Sequence, residues 1–300
     1  MKHIVIIGSS SMDFVVSADK RPEKGETIIG SQFVSMPGGK GANQAVAAAR
    51  LGSKVTMLGS VGTDRYADEI LNNFKKNSVS TEHLRIIPDV STGTAHITIA
   101  EKDNSIIVVK GANEYVTVSY IEEKIHVIEE ADIVLIQQEI PADTVEYVIE
   151  LCEQLQKKII LNPAPYRKVS KGLLKKATYL TPNEHECQSL FEEENQSDIL
   201  RQFPNQLMIT EGENGVRYFD GTKECLIPSY SVDVVDTTGA GDTFNAAFAV
   251  SLIHGERIDH SIDFANYAAA LSVKKIGAQG GMPTKNEMIK QFPNHRCFKV

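Results

Sequence analysis

Residues 236–244 read DTTGAGDTF. Two glycines flank an alanine directly before an acid, and an apolar helical pattern follows through Phe244, Ala247, Phe248, Val250, Ser251 and Leu252. A Gly-Ala-Gly turn that opens a helix aims several backbone N–H groups at one point. The helix dipole adds partial positive charge there, so the turn reads as an anion site. Asp242 falls in the first turn of that helix, where an acid is also favourable for folding alone. A carboxylate beside an anion hole has a further use: it can take a proton while a phosphoryl group changes partners. Gly239, Ala240, Gly241 and Asp242 are therefore the first candidate catalytic residues.

Working outward, short apolar runs alternate with helical patterns. Strands are predicted at 4–8, 55–58, 133–136, 159–161, 178–180 and 207–210, and helices at 41–51, 64–76, 142–156 and 184–191. Such alternation implies a parallel sheet covered on both faces. Two stretches, about 13–34 and 94–109, break the rhythm with short alternating runs and no helix; HITIAEKDNSIIVV reads as a hairpin with Asp103 and Asn104 near its turn. They are expected to form a small sheet on the edge of the main body, as a lid, a dimer surface or both, or as a decorative insertion. Their closeness in the chain to glycine-rich segments favours a lid.

The 300 residues are enough for one large α/β domain, or for one domain with a small appendage. A hydrophobic share of 42% and a charged share of 23% are ordinary for a globular enzyme. A net charge of −8, with no run of Lys or Arg, argues against a nucleic-acid partner. No apolar run approaches membrane-span length, and MKHIVIIGSS reads as a first buried strand, so no membrane partner is expected. Cys152, Cys187, Cys225 and Cys297 form no CxxC pair, which fits free thiols in a reducing cytoplasm. His185-Glu186 lacks the second histidine of a zinc motif.

A second glycine-rich segment, PGGKGAN at 37–43, also opens a helix. Its glycines permit close ligand approach, and Lys40 and Asn43 can both donate hydrogen bonds. It lacks the pattern of a Walker A loop, and the chain has no GxGxxG. At NEHE, Asn183 and Glu186 share a helix face. They can hold a hydrated Mg²⁺ or form an N-terminal capping box, which the spacing alone favours. TEGENG, 210–215, ends a strand where α/β ligands bind, and it is equally an ordinary loop. Asp13 and Glu139 each follow a strand, so both acids project from the same sheet edge as Lys40 and Asn43 and can accept from sugar hydroxyls.

Together and in this order, PGGKGANQA, GTDxxxD at 62–68, NPAP at 162–165, TPNExE at 181–186, DTTGAGDTF and GAQGGMP at 277–283 resemble the ribokinase, or PfkB, family of carbohydrate kinases, from about residue 3 to residue 283. NPAP and GAQ are similar to its ribokinase branch. The resemblance implies a three-layer α/β/α fold with a central mainly parallel sheet, plus a small β-sheet lid that also dimerises. It implies ATP-dependent phosphorylation of a sugar hydroxyl with Mg²⁺, giving D-ribose 5-phosphate. By this resemblance, Asp242 is the base for the sugar 5-hydroxyl, and the amides of Gly239, Ala240 and Gly241 form the anion hole. Asp13, Gly38, Gly39, Lys40, Asn43 and Glu139 contact the sugar. Asn183, Thr210, Glu211, Gly212, Gly215, Gly241 and Asn266 contact the nucleotide, and Glu186 with Asn183 orients hydrated Mg²⁺. A K⁺ site is implied at Asp236, Thr238, Ser272, Lys275, Gly277 and Gly281, mostly through carbonyls.

One position departs from the pattern. The family's ribokinases usually carry Asn two residues before the first sugar-binding Asp, and here that residue is Ser11. Losing an amide partner relaxes discrimination against a substrate that lacks a hydroxyl, so a weakened preference for ribose over 2-deoxyribose is expected. A kinase for 2-deoxyribose, fructose or a nucleoside is the rival enzyme. A sugar- or nucleotide-binding regulator that has lost catalysis is the rival from another class.

Overall fold

The computed structural model describes residues 2–101, 103–192 and 195–298. Six parallel strands form the central sheet, in the order Tyr179–Leu180, Ile159–Leu161, Ile133–Ile136, His3–Ile7, Lys54–Leu58 and Val79–Ser80. The first strand shows why the sheet needs two covers. Ile4 and Ile6 enter one hydrophobic core, and Val5 and Ile7 enter the other. A strand with no polar face can only sit between two layers.

One layer holds the helices Lys40–Arg50, Arg65–Lys76, Ala240–Ile253 and Ile258–Ser272, packed through Ala45, Ala48, Phe74, Phe248 and Phe264. The opposite layer includes Ala142–Gln154 and Glu184–Phe191, with Val145, Val148 and Phe191 inward. Ala240–Ile253 is apolar on nearly every side and buried along almost its whole length, the pattern of a core helix rather than a surface one.

Beyond Tyr179–Leu180 the parallel order continues through single bridges from Leu180 to Leu207 and from Asn183 to Thr210. The strand expected at 207–210, Met208–Thr210, then pairs antiparallel in a sheet with Val216–Phe219 and Glu224–Ile227.

The lid segments form a separate four-stranded sheet, ordered Gln32–Gly38, Ser11–Ser17, Gly93–Ala100 and Asp103–Val109. Its middle pair is parallel and its flanking pairs antiparallel. The boundaries differ from those read in the sequence. Its first strand begins at Ser11, and the next runs to Gly38, because Pro37 and Gly38 still pair with Met12 and Ser11. Asp103 and Asn104 lie inside the last strand, opposite Ala100 and Ile99. Glu101 takes the left-handed conformation, φ 57°, at the turn before them. No helix among the described residues is long and apolar enough to cross a membrane.

Candidate active site

The 236–244 segment builds the centre of the site. Asp236 folds it back: its Oδ1 accepts from the Thr238 amide (2.9 Å) and hydroxyl (2.6 Å), and its Oδ2 from the Gly277 amide (2.8 Å). Burial would raise the Asp236 carboxyl, and these bonds overcome it and hold its pKa below the usual range. Gly239 then turns the chain into the helix with φ 79°, and a Cβ there would stand 2.6 Å from the Ala278 carbonyl oxygen. Glycine is required on both counts. The helix starts at Ala240 without a side-chain cap. The amides of Gly241 and Asp242 have no hydrogen-bond partner among the described residues, so the N-terminus stays open to an anion.

Asp242 is buried, only 6% exposed. Its Oδ2 accepts from Asn43 Nδ2 (2.9 Å) and its Oδ1 from Gln44 Nε2 (3.1 Å). Burial drives its pKa up, and Lys40, Asn43 and Gln44 only partly oppose that rise. The carboxylate is thereby a stronger base than an exposed one.

Asp242 lies where two clefts meet. With Lys40 and Gly239, it lines both. The first cleft, of about 160 Å³, also gathers Ser11, Asp13, Gly39, Asn43 and Glu139, and the lid closes it with Ala95, Ile97, Ile106 and Val108. Asp13 rests against Gly38, where a Cβ would lie 2.2 Å from its carboxylate. Burial, then the charge of Glu139 and that of Asp242, push the Asp13 carboxyl up to about 7 against the pull of Ser11 and Lys40. Burial would lower the Lys40 ammonium. The carboxylates of Asp242, Glu139, Glu186 and Asp13 outweigh it, so Lys40 stays firmly charged. Glu139 accepts from the Lys40 amide (2.9 Å) and from the Ser9 hydroxyl. The Ser11 hydroxyl lies 3.4 Å from Asp13 Oδ1.

The second cleft holds Asn162, Thr181, Asn183, Glu186, Thr210, Gly241 and Asn245. Asn183 and Glu186 form the capping box that their spacing favoured: Glu186 N to Asn183 Oδ1 is 2.8 Å, and Asn183 N to Glu186 Oε2 is 2.9 Å. Burial also raises the Glu186 carboxyl. A larger groove of about 700 Å³ runs past Gly212, Glu213 and Asn214 to Val234, Ala240 and Ala269.

Three expected nucleotide contacts sit behind this wall instead of on it. Glu211 is buried, its carboxylate taken by Arg217 (2.5 and 3.0 Å) and Gln196 (3.1 Å). Gly215 forms the hairpin turn with φ 105°. Asn266 is buried and donates to the carbonyls of Ile227 and Pro228, both at 3.0 Å. Each shapes the loops bordering the groove and does not face it.

The residues expected around a monovalent cation are also close together. Asp236, Thr238 and Gly277 line a further cavity between lid and body. Gly281 packs on the Ser272 carbonyl so tightly that a Cβ would lie 1.8 Å from its oxygen. The Lys275 side chain is exposed.

Sequence reasoning passed over several polar groups of the site. Gln44 touches Asp242 directly, and Gln137 Nε2 donates to Gln44 Oε1 (2.6 Å). Asn113 lines the first cleft and clamps the Ser10 backbone at both its N–H and its C=O, each at 2.9 Å. Asn162 bonds Gln44, and Asn245 bonds the Gly241 carbonyl. Two of these carried a signal, Gln44 as the residue after Asn43 in the glycine-rich segment and Asn162 as the first residue of NPAP.

An open helix N-terminus beside a buried carboxylate, with one cleft on each side, has the parts that phosphoryl transfer to a hydroxyl requires. The chain belongs to the pfkB family of carbohydrate kinases, whose model matches residues 1–285. It is 56% identical over 288 residues to a ribokinase of Bacillus subtilis, covering 96% of this chain and 98% of that one. It is 44% identical to a ribokinase of Lactococcus lactis, covering 96% of each. Among solved structures it is similar to the ribokinase of Arabidopsis thaliana complexed with ribose and ATP, with 29% identity, a TM-score of 0.87 and full coverage of both chains.

Proposed function

We propose that this chain catalyses ATP-dependent phosphorylation of D-ribose at O5, giving D-ribose 5-phosphate and ADP. The observation that carries this reading is the position of Asp242, shared by the lid-covered cleft and the second cleft at an open helix N-terminus. Ribose lies in the first cleft against Asp13, Gly38, Gly39, Lys40, Asn43 and Glu139. The ATP phosphates lie in the second, near Asn183 and Thr210, with the nucleoside along the groove at Gly212.

The transfer is direct. The ribose O5 attacks the γ-phosphorus, its proton passes to Asp242, and the bond from that phosphorus to the ADP oxygen breaks. Asp242 returns the proton to solvent. The open amides of the helix start and the Lys40 ammonium stabilise charge on the moving phosphoryl group, which is where preorganised donors count most. Glu186 and Asn183 are suited to hold hydrated Mg²⁺, and Asp236 with the carbonyls near Thr238, Ser272, Lys275, Gly277 and Gly281 to hold K⁺. These ions supply positive charge beside the phosphates and the anion hole.

The chain works as one α/β unit with its lid. Apolar side chains left exposed on the lid, Phe33 at 63% and Ile107 at 70%, support a homodimer through that sheet. The four free cysteines support a cytoplasmic setting.

The test is ATP consumption with D-ribose, 2-deoxy-D-ribose, fructose and adenosine, each with and without K⁺. Strong ribose turnover that rises with K⁺ is expected. No turnover on any of the four sinks the reading and favours a regulator. A second substrate, 2-deoxyribose, is supported by Ser11 in the sugar cleft. A kcat/KM for ribose a thousandfold above that for 2-deoxyribose would remove it.

A further inference from the structure

Asp242 stands at the end of an unbroken line of side-chain hydrogen bonds that begins at Arg50, in the last turn of the helix Lys40–Arg50. Arg50 Nε donates to Asn77 Oδ1 (2.8 Å), and Asn77 Nδ2 to Asn73 Oδ1 (3.2 Å). Asn73 Nδ2 donates to Gln279 Oε1 (2.8 Å), Gln279 Nε2 to Asn43 Oδ1 (2.9 Å), and Asn43 Nδ2 to Asp242 Oδ2 (2.9 Å). The direction of the line is set at both ends. A guanidinium only donates, and an ionised carboxylate only accepts. Every amide between them must therefore point its NH₂ toward Asp242; turning over any one brings acceptor against acceptor. Chains of this kind polarise in one sense and strengthen each other.

The shorter branch to the other carboxylate oxygen lacks such an anchor. Gln137 feeds Gln44, which feeds Asp242 Oδ1, but Gln137 Oε1 is buried without a partner among the described residues. The long branch is also tied to the 277–283 segment. Gln279 belongs to it, and Arg50 Nη1 donates to the carbonyls of Gln279 (2.6 Å) and Met282 (3.2 Å).

We propose that Gln279, Asn73, Asn77 and Arg50 are positioning residues for Asp242: a one-way amide relay keeps the Asn43 NH₂ on the carboxylate, favours its ionised form, and couples the base to the 277–283 segment. This rests on the reading of Asp242 as the base. The charged groups that also face Asp242 are Lys40, Glu139, Asp13 and Glu186, and none of them belongs to the relay.

The experiment follows the kcat–pH profile with ribose and ATP in four variants. In Asn73→Asp the carboxylate cannot donate to Gln279, so the relay reverses or breaks two side chains before Asp242. The acid limb of kcat is expected to move up by about half a pH unit, so that kcat at a fixed pH on that limb falls about threefold, with KM for ATP within about twofold. Asn72→Asp adds the same charge at the exposed neighbouring position and is expected to leave the limb in place. Gln279→Met removes the amide that bonds both Asn43 and Asn73 without adding charge and is expected to shift the limb the same way as Asn73→Asp, by more. A limb that stays put in Asn73→Asp and Gln279→Met, or moves equally in Asn72→Asp, overturns the relay. If Gln279→Met does not fold, the Asn73 and Asn72 pair decides alone. Asp242→Asn runs in parallel: near-normal turnover there removes the base itself, whereas loss of turnover there with an unmoved limb elsewhere removes only the relay.

Discussion

The two glycine-led helices of the site begin alike and serve it differently. Lys40–Arg50 and Ala240–Ile253 both follow a glycine with positive φ, 89° at Gly39 and 79° at Gly239, and neither has a side-chain N-cap. In the first, the protein takes up the leading amides itself: Lys40 N by Glu139, Gly41 N by the Ser9 hydroxyl (3.4 Å), and Ala42 N by the Ser9 carbonyl (2.9 Å). Its N-terminus offers side chains, Lys40, Asn43 and Gln44. In the second the amides of Gly241 and Asp242 stay open. Elsewhere Asp64, Asn183 and Thr284 cap their own helices with side chains. Ala142–Gln154 and Ile258–Ser272 lack a side-chain cap too, so at the two glycine-led starts it is whether the leading amides are already used that tells whether backbone or side chain meets the ligand.

The largest effect is expected where the two helices touch. Asp242→Asn keeps the shape and removes the base, so kcat for ribose should fall by roughly 10² to 10⁴ while nucleotide affinity, measured by calorimetry, holds. A kcat within about tenfold of the parent would mean that the open helix start alone carries the chemistry. Asp236→Ala attacks the second helix only. It removes three hydrogen bonds that shape the turn, and charged bonds of this kind are worth about 1.5–3 kcal/mol each. A fall in kcat of about ten- to hundredfold is expected, together with loss of any stimulation by K⁺; a preserved K⁺ response would place the cation elsewhere.

Glu139→Gln attacks the first helix. The neutral amide leaves the Lys40 amide and the Ser9 hydroxyl more weakly held, so KM for ribose should rise about three- to tenfold, on the order of 1 kcal/mol, with kcat nearly kept. A drop in kcat as large as that of Asp236→Ala would erase the division of labour between the two starts.

That division was only half legible in the sequence. DTTGAGDTF declares an open helix start because glycine, alanine and glycine stand where Ser, Thr, Asp or Asn would cap. The buried strand His3–Ile7 and the Asn183–Glu186 box were equally plain, since their signals lie within a few residues. The amide lines were not. Gln44 and Gln279 sit in glycine-rich motifs, but the partners of these glutamines lie 93 to 236 positions away, and no local period marks the pairing. The Glu211 ion pair was hidden for the same reason: nothing in 210–215 announces that Arg217, on the next strand, takes its carboxylate. The lid strands were found but misplaced at their ends, because pairing across the sheet, and not local propensity, decides where Pro37 and Gly38 belong.

The smallest effect concerns Asp13, the acid the first helix start faces across the sugar cleft. Burial and two neighbouring carboxylates disfavour its charge and push its pKa from the ordinary 3.8 up to about 7. A sugar hydroxyl needs the ionised acceptor, so KM for ribose should rise as pH falls below 7, approaching tenfold per unit, while ATP affinity stays level. The stability effect has the opposite sign. A carboxyl whose folded pKa is raised binds more protons folded than unfolded, so its favourable contribution is complete below about 3.8 and lost as pH rises through about 7. Asp13→Asn should therefore melt a few degrees above the parent at pH 8, and the gap should close toward pH 4, even as ribose binding is lost. If the variant gains nothing at pH 8, the crowding of Asp13, Glu139 and Asp242 carries no cost before substrate binds. Of the two helix starts, the cost in stability would then fall on the second.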